Sequence, residues 1–449
     1  MVCLHDTALR RQAEVEPRDE GRLSMYVCGP TVYDLPHVGH GRALLVYDVL
    51  RRYLEWCGVA VHHVSNITDI DDKIIERAAR DGRTADDVAA QYEEAWYDAV
   101  DGLGVRRPHE DPHATAYVDG MVDLVARLVD TGHAYATDDG VYLATDTVEG
   151  YGLLAGQSLD SLRPGERVGV VEAKRSPVDF ALWKSAKPGE PSWPSPWGDG
   201  RPGWHTECVV MSLDLLGDDF DLHAGGLDLV FPHHENERVQ AVALGRPFSR
   251  RWMHHAFVEV GGEKMSKSLG NFTTLTDLLA NTDPRAYRLL VLQSQYRKPL
   301  EVTAATLDDA GRALGALDDF ARRTGDLPPV AADPAALERF RVRMDDDLDT
   351  PGVVADLSEL RRRANALFDG RDVRGAAPLV GAVREITGAV GLRLGGGEDR
   401  VDAATAALVT ERDEARAARD WARADAIRAE LETRGWVVED TQGGTKLHH

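Results

Sequence analysis

Arg22-Leu23-Ser24-Met25-Tyr26-Val27-Cys28-Gly29-Pro30 is the stretch whose reading decides the fold. Arg22 to Cys28 reads as a short apolar strand, and Gly29-Pro30 breaks it. A loop follows, Thr31-Val32-Tyr33-Asp34-Leu35-Pro36-His37-Val38-Gly39-His40. From Gly41 to Trp56 the apolar residues Val46, Val49, Leu50, Tyr53 and Leu54 fall at helical spacing, and Gly58 ends the helix. Val59 to Val64 reads as the next strand. Strand, loop, helix and strand make a βαβ unit. The expected fold is therefore α/β, a doubly wound (Rossmann-type) parallel sheet.

Outward from this unit, helical patterns run from about Asp69 to Val129, then a hairpin-like stretch from His133 to Thr145. Residues 185–203 are rich in Pro, Gly and Trp and read as a long structured loop. Helix and strand alternate again from His205 to Val260, as if the same sheet resumed after an insertion. After Phe272 the pattern is almost all helical, with breaks at 327–335 and 395–398. The expected division is a first catalytic half at 1–110 and an inserted segment at 111–202. A second half follows at 203–272, a helical region at 273–398 and a small module at 399–449. No internal repeat is evident.

A chain of 449 residues is too long for one core and calls for several domains. The 43% apolar content is that of a soluble globular protein, and no run reaches the length of a membrane span. The stretch Met1 to Pro17 is polar and charged and is not expected to be a signal peptide. Cys3, Cys28, Cys57 and Cys208 make no disulfide framework, which fits a reducing cytoplasm. A net charge of −23 argues mildly against a nucleic-acid partner, but phosphate binding needs only a local basic face.

His37 and His40 lie at a loop-to-helix junction, where free backbone N–H groups and the helix dipole favour phosphate. Gly39 lets a base or ribose approach the backbone. Alone, such histidines are more often caps or core fillers. Far downstream stands Lys264-Met265-Ser266-Lys267-Ser268, with Gly261-Gly262 before it and Gly270 after. Two lysines and two serines so placed suit a cationic loop over a pyrophosphate leaving group. The bland alternative is a solvated turn.

A third cluster has the chemistry of a metal site. Cys28 ends the first strand, at the lip where doubly wound sheets bind ligands. Cys208 closes Gly203-Trp204-His205-Thr206-Glu207-Cys208. His233 and Glu237, in Phe231-Pro232-His233-His234-Glu235-Asn236-Glu237, are one helical turn apart. Two thiolates, an imidazole and a carboxylate suit four-coordinate zinc, although buried thiols and a capped helix fit the same residues.

Near the end, Arg412, Arg416, Arg419 and Arg423 are spaced 4, 3 and 4. At about 100° per residue they fall within an arc of roughly 60°, a basic stripe on one helix face that could track phosphates. Trp421 beside it could stack on an unpaired base. The competing reading pairs the stripe with Glu411, Asp413, Glu414 and Asp420 and makes Trp421 core.

The histidine and lysine strings together resemble the paired signature of class I aminoacyl-tRNA synthetases. Over nearly its full length the chain resembles the cysteinyl-tRNA synthetase family. The matching strings are Met25 to Asp34, Asn66 to Lys73, Trp183 to Trp193, Gly203 to Cys208 and His233 to Glu237. The resemblance implies a ligase that activates L-cysteine with ATP, accompanied by Mg2+, and transfers it to tRNA(Cys). It implies one Zn2+ on Cys28, Cys208, His233 and Glu237, binding the substrate's thiolate. Thr68, Trp204, His223 and Asp228 would line the amino-acid pocket, Asp228 facing the ammonium. Region 273–398 would hold the stem-contact and bundle elements, and 399–449 the anticodon module with Arg416, Trp421 and Asp425 as base readers.

Two departures stand out. The family's His-Gly-Gly-Gly-Ser-Asp-Leu reads His223-Ala224-Gly225-Gly226-Leu227-Asp228-Leu229, with bulkier residues that would crowd the pocket if they face it. The family's terminal Trp is absent after Gln442-Gly443-Gly444-Thr445. Rival readings are a related ligase joining cysteine to an amino-sugar, and a silent tRNA- or zinc-binding paralogue. A monomer is the expected state.

Overall fold

The computed structural model describes residues 2–156, 174–260, 263–264, 273–395, 403–434, 436–441 and 444–448. A hairpin, β1 (Cys3–Asp6) and β2 (Arg11–Glu14), precedes β3 (Arg22–Val27), α1 (Val38–Trp56) and β4 (Ala60–Ser65). Helices α2 (Asp72–Asp81), α3 (Ala85–Gly102) and α4 (Val118–Asp130) lead to an antiparallel sheet. That sheet is β5 (Ala134–Thr137), β6 (Gly140–Leu143), β7 (Phe180–Ser185) and β8 (Gly200–Pro202). The alternation then resumes with α5 (Trp204–Leu215), β9 (Phe220–Gly226), α6 (Glu235–Ala243) and β10 (Ser249–His255).

The central sheet is parallel, in the order β10-β9-β3-β4. The chain winds from β3 to β4 in one direction and from β9 to β10 in the other, so the order reverses between β3 and β9. Ligands bind doubly wound sheets at the C-terminal ends of strands at such a reversal. Met25, Tyr26 and Val27 stand opposite Leu222, His223 and Ala224. Side chains alternate across a strand. Met25, Val27, Leu222 and Ala224 join a core shared with α1, α3 and the later helices, while Tyr26 joins a second core with α4, α5 and the antiparallel sheet.

This alternation answers the question of the pocket departures. Ala224 is fully buried in the first core, on the face opposite His223, so its methyl does not crowd that ring. Leu227 lies past the strand end and is 46% exposed.

Beyond β10 come β11 (Val258–Val260), β12 (Glu263–Lys264), α7 (Leu275–Asn281), α8 (Pro284–Leu292) and β13 (Leu300–Glu301). Helices α9 (Ala304–Arg323), α10 (Pro334–Asp345), α11 (Thr350–Asp369) and α12 (Val373–Ala389) share the first core. The terminal unit is α13 (Ala403–Ala417), α14 (Trp421–Thr433) and a hairpin, β14 (Val437–Thr441) with β15 (Gly444–His448). The hairpin is a strand element within a region expected to be almost all helical. Its own small core, with Ile427, Leu431, Trp436 and Val438, accounts for it. Among the described residues no helix is long and apolar enough to cross a membrane.

Candidate active site

His37 is the N-cap of α1, and it and His40 cap each other. The His40 amide donates to His37 Nδ1 at 3.3 Å, and the His37 amide to His40 Nδ1 at 3.2 Å. The rings stack at 3.7 Å. Because each Nδ1 accepts, each neutral ring carries its proton on Nε2. The capping role and a donor role toward phosphate are thus compatible, one on each ring nitrogen. Gly39 lies between them in the first turn.

The segment after the lysine string docks on this turn. Val38 N donates to Thr273 O at 3.1 Å, and Leu275 N to Pro36 O at 2.8 Å. The backbone of Glu263 and Lys264 forms β12 against β11. Ser266, Lys267, Ser268 and the Lys264 side chain lie outside the described residues.

At the β3–β9 reversal the structure gathers Cys28, Cys208, His233 and Glu237. One ligand atom from each lies within 4.8 Å of the others. Cys28 Sγ is 3.7 Å from Cys208 Sγ and 3.5 Å from Glu237 Oε1. Cys208 Sγ is 3.7 Å from His233 Nε2, which is 2.9 Å from Glu237 Oε1. Tetrahedral zinc with Zn–S bonds of about 2.3 Å sets two sulfurs roughly 3.8 Å apart, so the donor set fits zinc.

The electrostatics suit a cation. Burial opposes ionisation of Cys208, but contacts with Cys28 and His233 outweigh it and bring the thiol down to about 6. Burial also opposes charge on His233, yet Glu237 and Cys208 raise it to about 10. Burial, with Cys208 adding to it, pushes the Cys28 thiol well up. Burial works against the Glu237 carboxylate, but His233 and His223 hold it well below the ordinary carboxyl range. The Tyr26 hydroxyl is buried beside these groups, against the Cys208 thiol, and makes no geometrically good hydrogen bond among the described residues. An anionic metal–thiolate nest would give such a donor an acceptor.

A second set, Cys28, His223, His234 and Glu237, is equally close. It offers one thiolate rather than two, and its imidazoles stack at 4.4 Å, so their lone pairs run side by side rather than converge. The first set is the better soft-metal site. His223 and His234 back it instead. His223 Nε2 meets Glu237 Oε2 at 2.6 Å, leaving Oε1 toward the nest. His234 Nε2 is 3.2 Å from Cys28 Sγ, and its Nδ1 is 2.8 Å from His254 Nε2.

Of the pocket residues, Trp204 stacks on His233 at 3.9 Å, so it abuts the nest instead of filling a remote core. Thr68 is buried and donates to Glu207 Oε2 at 2.8 Å. Burial raises Glu207 well above its ordinary value. Asp228 is exposed in the turn after β9, outside the buried cluster. Sequence reasoning passed over Tyr26, Asn66, His205 and His254. His205 Nδ1 lies 2.9 Å from His233 Nδ1, and Asn66 Oδ1 accepts from Gly29 N at 2.9 Å. His205 and Tyr26 had a signal: both lie within three residues of a proposed ligand in the same string.

The C-terminal stripe is corrected. α13 stops at Ala417 and α14 begins at Trp421, with Arg419 at φ +60° and Asp420 capping α14 between them. The four arginines therefore do not share one helix face. Arg412 is buried and donates to Thr445 Oγ1 at 2.5 Å, and Arg423 pairs with Glu411 at 2.5 Å. Arg416 is half-buried, while Arg419 and Asp425 are exposed. Trp421 is 59% exposed, which excludes the core reading for it.

Residues 14–312 match the tRNA synthetases class I (C) catalytic domain family, and residues 398–446 match the cysteinyl-tRNA ligase anticodon binding domain family. Fold and site define a class I aminoacyl-tRNA synthetase. Cysteine–tRNA ligase of Alkalilimnicola ehrlichii is 47% identical over 457 residues, 99% of each chain. That of Thioalkalivibrio sulfidiphilus is 47% identical over 456 residues, again 99% of each. The chain belongs to the cysteine–tRNA ligase family and is by that membership an aminoacyl-tRNA ligase. The fold is also that of Mycobacterium tuberculosis methionyl-tRNA synthetase in complex with methionyl-adenylate. That likeness has a TM-score of 0.61 at 14% identity and covers 82% of this chain and 90% of the other.

Proposed function

We propose that this chain activates L-cysteine with ATP to cysteinyl-adenylate and transfers the aminoacyl group to the 3′ end of tRNA(Cys). The cysteine carboxylate attacks the α-phosphate and pyrophosphate leaves; a terminal ribose hydroxyl of the tRNA then attacks the adenylate. The Nε2–H groups of His37 and His40 donate to phosphate oxygens as charge develops, and Lys264 and Lys267, with Ser266 and Ser268, steady the departing pyrophosphate. Gly39 leaves room for the nucleoside. Mg2+ travels with the ATP. No covalent enzyme intermediate is needed, because the work is positioning and electrostatics.

Cys28, Cys208, His233 and Glu237 hold Zn2+, which supplies a soft Lewis acid for the substrate sulfur. An apolar pocket separates serine from cysteine poorly, whereas thiolate affinity separates them well. Trp204 and Thr68 bound the pocket, His223 orients Glu237, and Asp228 waits at the lip for the ammonium. Residues 1–110 and 203–272 form the catalytic domain, 111–202 its insertion, 273–398 the stem-contact and bundle region, and 399–449 the anticodon module. In that module Trp421, Arg416, Arg419 and Asp425 reach RNA, and Arg412 and Arg423 brace the fold. The protein acts as a cytoplasmic monomer.

The observation that carries this reading is the four-donor nest at the sheet's reversal, with Cys28 and Cys208 at a zinc-like separation of 3.7 Å. The test is cysteine-dependent ATP–pyrophosphate exchange on zinc-replete protein, followed by addition of tRNA(Cys). Exchange and charging are expected. Exchange without charging points to a small amine acceptor, and absence of exchange overturns the reading.

A further inference from the structure

Arg42 lies two residues past His40, at the start of the second turn of α1, and is 1% exposed. Among the described residues its guanidinium has no carboxylate partner. Four backbone carbonyls meet it instead. Nη1 donates to Ala256 O at 2.8 Å and Phe257 O at 2.7 Å. Nη2 donates to Tyr296 O at 3.1 Å and Lys298 O at 2.5 Å. Burial lowers the guanidinium to about 10, still charged at neutral pH. A buried cation is costly unless its donors are satisfied, and here both Nη groups are, while Nε has no partner among the described residues. Only the planar fork of arginine spans two pairs of acceptors; an ammonium is a point charge with three donors.

The carbonyls belong to two particular loops. Ala256 and Phe257 join β10 to β11, and Tyr296 and Lys298 join α8 to β13. The loops are also tied to each other, Ala256 N to Tyr296 O at 2.9 Å and Leu300 N to Phe257 O at 3.0 Å. β11 pairs with β13 on one side and with β12 on the other, where Glu259 stands opposite Lys264. The Tyr296 hydroxyl donates to Asp347 Oδ1 at 2.5 Å, in the turn between α10 and α11.

We propose that Arg42 is a positioning residue for adenylate formation, holding the histidine-bearing turn of α1 in register with the small sheet that carries Lys264. The two phosphate-handling segments are more than 220 positions apart, and Arg42 is where the backbone leading to the second is fastened to the helix of the first. The proposal rests on the reading that His37, His40 and Lys264 serve ATP.

The test compares Arg42→Lys and Arg42→Met with the wild type, as full-length zinc-replete protein. Arg42→Lys is expected to lower kcat for cysteine-dependent ATP–pyrophosphate exchange by roughly ten- to a hundredfold, since small misplacements cost that much. KM for cysteine and the rate of transfer to tRNA from accumulated adenylate are expected to stay within about twofold, because neither step handles pyrophosphate. Arg42→Met is expected to lose more on the same split; should it not fold, Arg42→Lys decides alone. Unchanged exchange in Arg42→Lys overturns the proposal. So does a parallel fall of exchange and transfer, which marks a general structural role. Failure of exchange in the wild type overturns the underlying ATP reading, and is seen before any variant is compared.

Discussion

Glu237 divides its carboxylate between two tasks. Oε1 faces Cys28 and His233, and Oε2 is held by His223 at 2.6 Å. If zinc occupies the nest, removing the holder should loosen it without removing a ligand. His223→Ala is expected to weaken zinc binding by roughly 10–100-fold, measured by chelator competition. Unaltered affinity would mean that Glu237 is oriented without it. Cys208→Ser removes a thiolate outright; zinc content should fall and the cysteine KM rise while the ATP KM holds. The His233–Glu237 pair also sets a pH signature for chelator-treated protein. His233, raised from 6.5 to about 10, contributes its full stability below pH 6.5 and loses it as pH climbs toward about 10. Glu237, depressed from 4.5, contributes above that value and loses its share as pH falls. Cys208, lowered from 9.0 to about 6, gains stability over the same alkaline range in which His233 loses it. The thermal midpoint should therefore fall as pH drops below about 4.5 and stay nearly level from about pH 6.5 to 9; Glu237→Gln should abolish the acid decline.

At the scale of elements, α1 shows why the sequence was readable here. Its apolar spacing is regular, and its N-terminus carries its own cap in His37. The same residues looked like either caps or ligands, and the geometry lets them be both, because each ring has two nitrogens. The arginine stripe was misread because angular arithmetic assumes an unbroken helix. Asp420 was the available warning, as aspartate is a favoured N-cap, and its side chain accepts from Arg423 N at 3.1 Å. Asp420→Ala is expected to destabilise the α13–α14 unit by about 1 kcal/mol, seen as faster amide exchange in α14. Trp421→Ala should leave the melting temperature nearly unmoved, since the side chain is 59% exposed, but raise the KM for tRNA. A joint loss of stability would return Trp421 to a structural role.

Over the whole molecule, the residue types of the four-donor nest were legible in the sequence but their meeting was not. Cys28 reaches Cys208 and Glu237 across 180 and 209 positions, and no local pattern encodes such a contact. The same holds for the joint between α1 and the later helices. Asp48 of α1 is fully buried against Arg288 of α8 at 2.6 Å, and Arg288 also donates to Val390 O and Gly104 O. The two arginines at Asp48 offset the burial that opposes its charge and hold it below the ordinary carboxyl range. Asp48→Asn leaves Arg288 buried without its counter-charge and is expected to cost about 3–5 kcal/mol, measurable by denaturant unfolding. Met25 and Leu222, opposite each other in the central sheet, are 197 positions apart. A ribosome adding roughly 5–20 residues per second leaves β3 waiting about 10–40 s for the neighbour that completes its pairing. During that interval one edge of an apolar strand is unsheltered, and Cys28 is the sole member of its nest until Cys208 is made, shortly before β9. If zinc fills the nest, its capture comes late in the life of the nascent chain, because His233 and Glu237 follow β9, and it coincides with closure of the sheet.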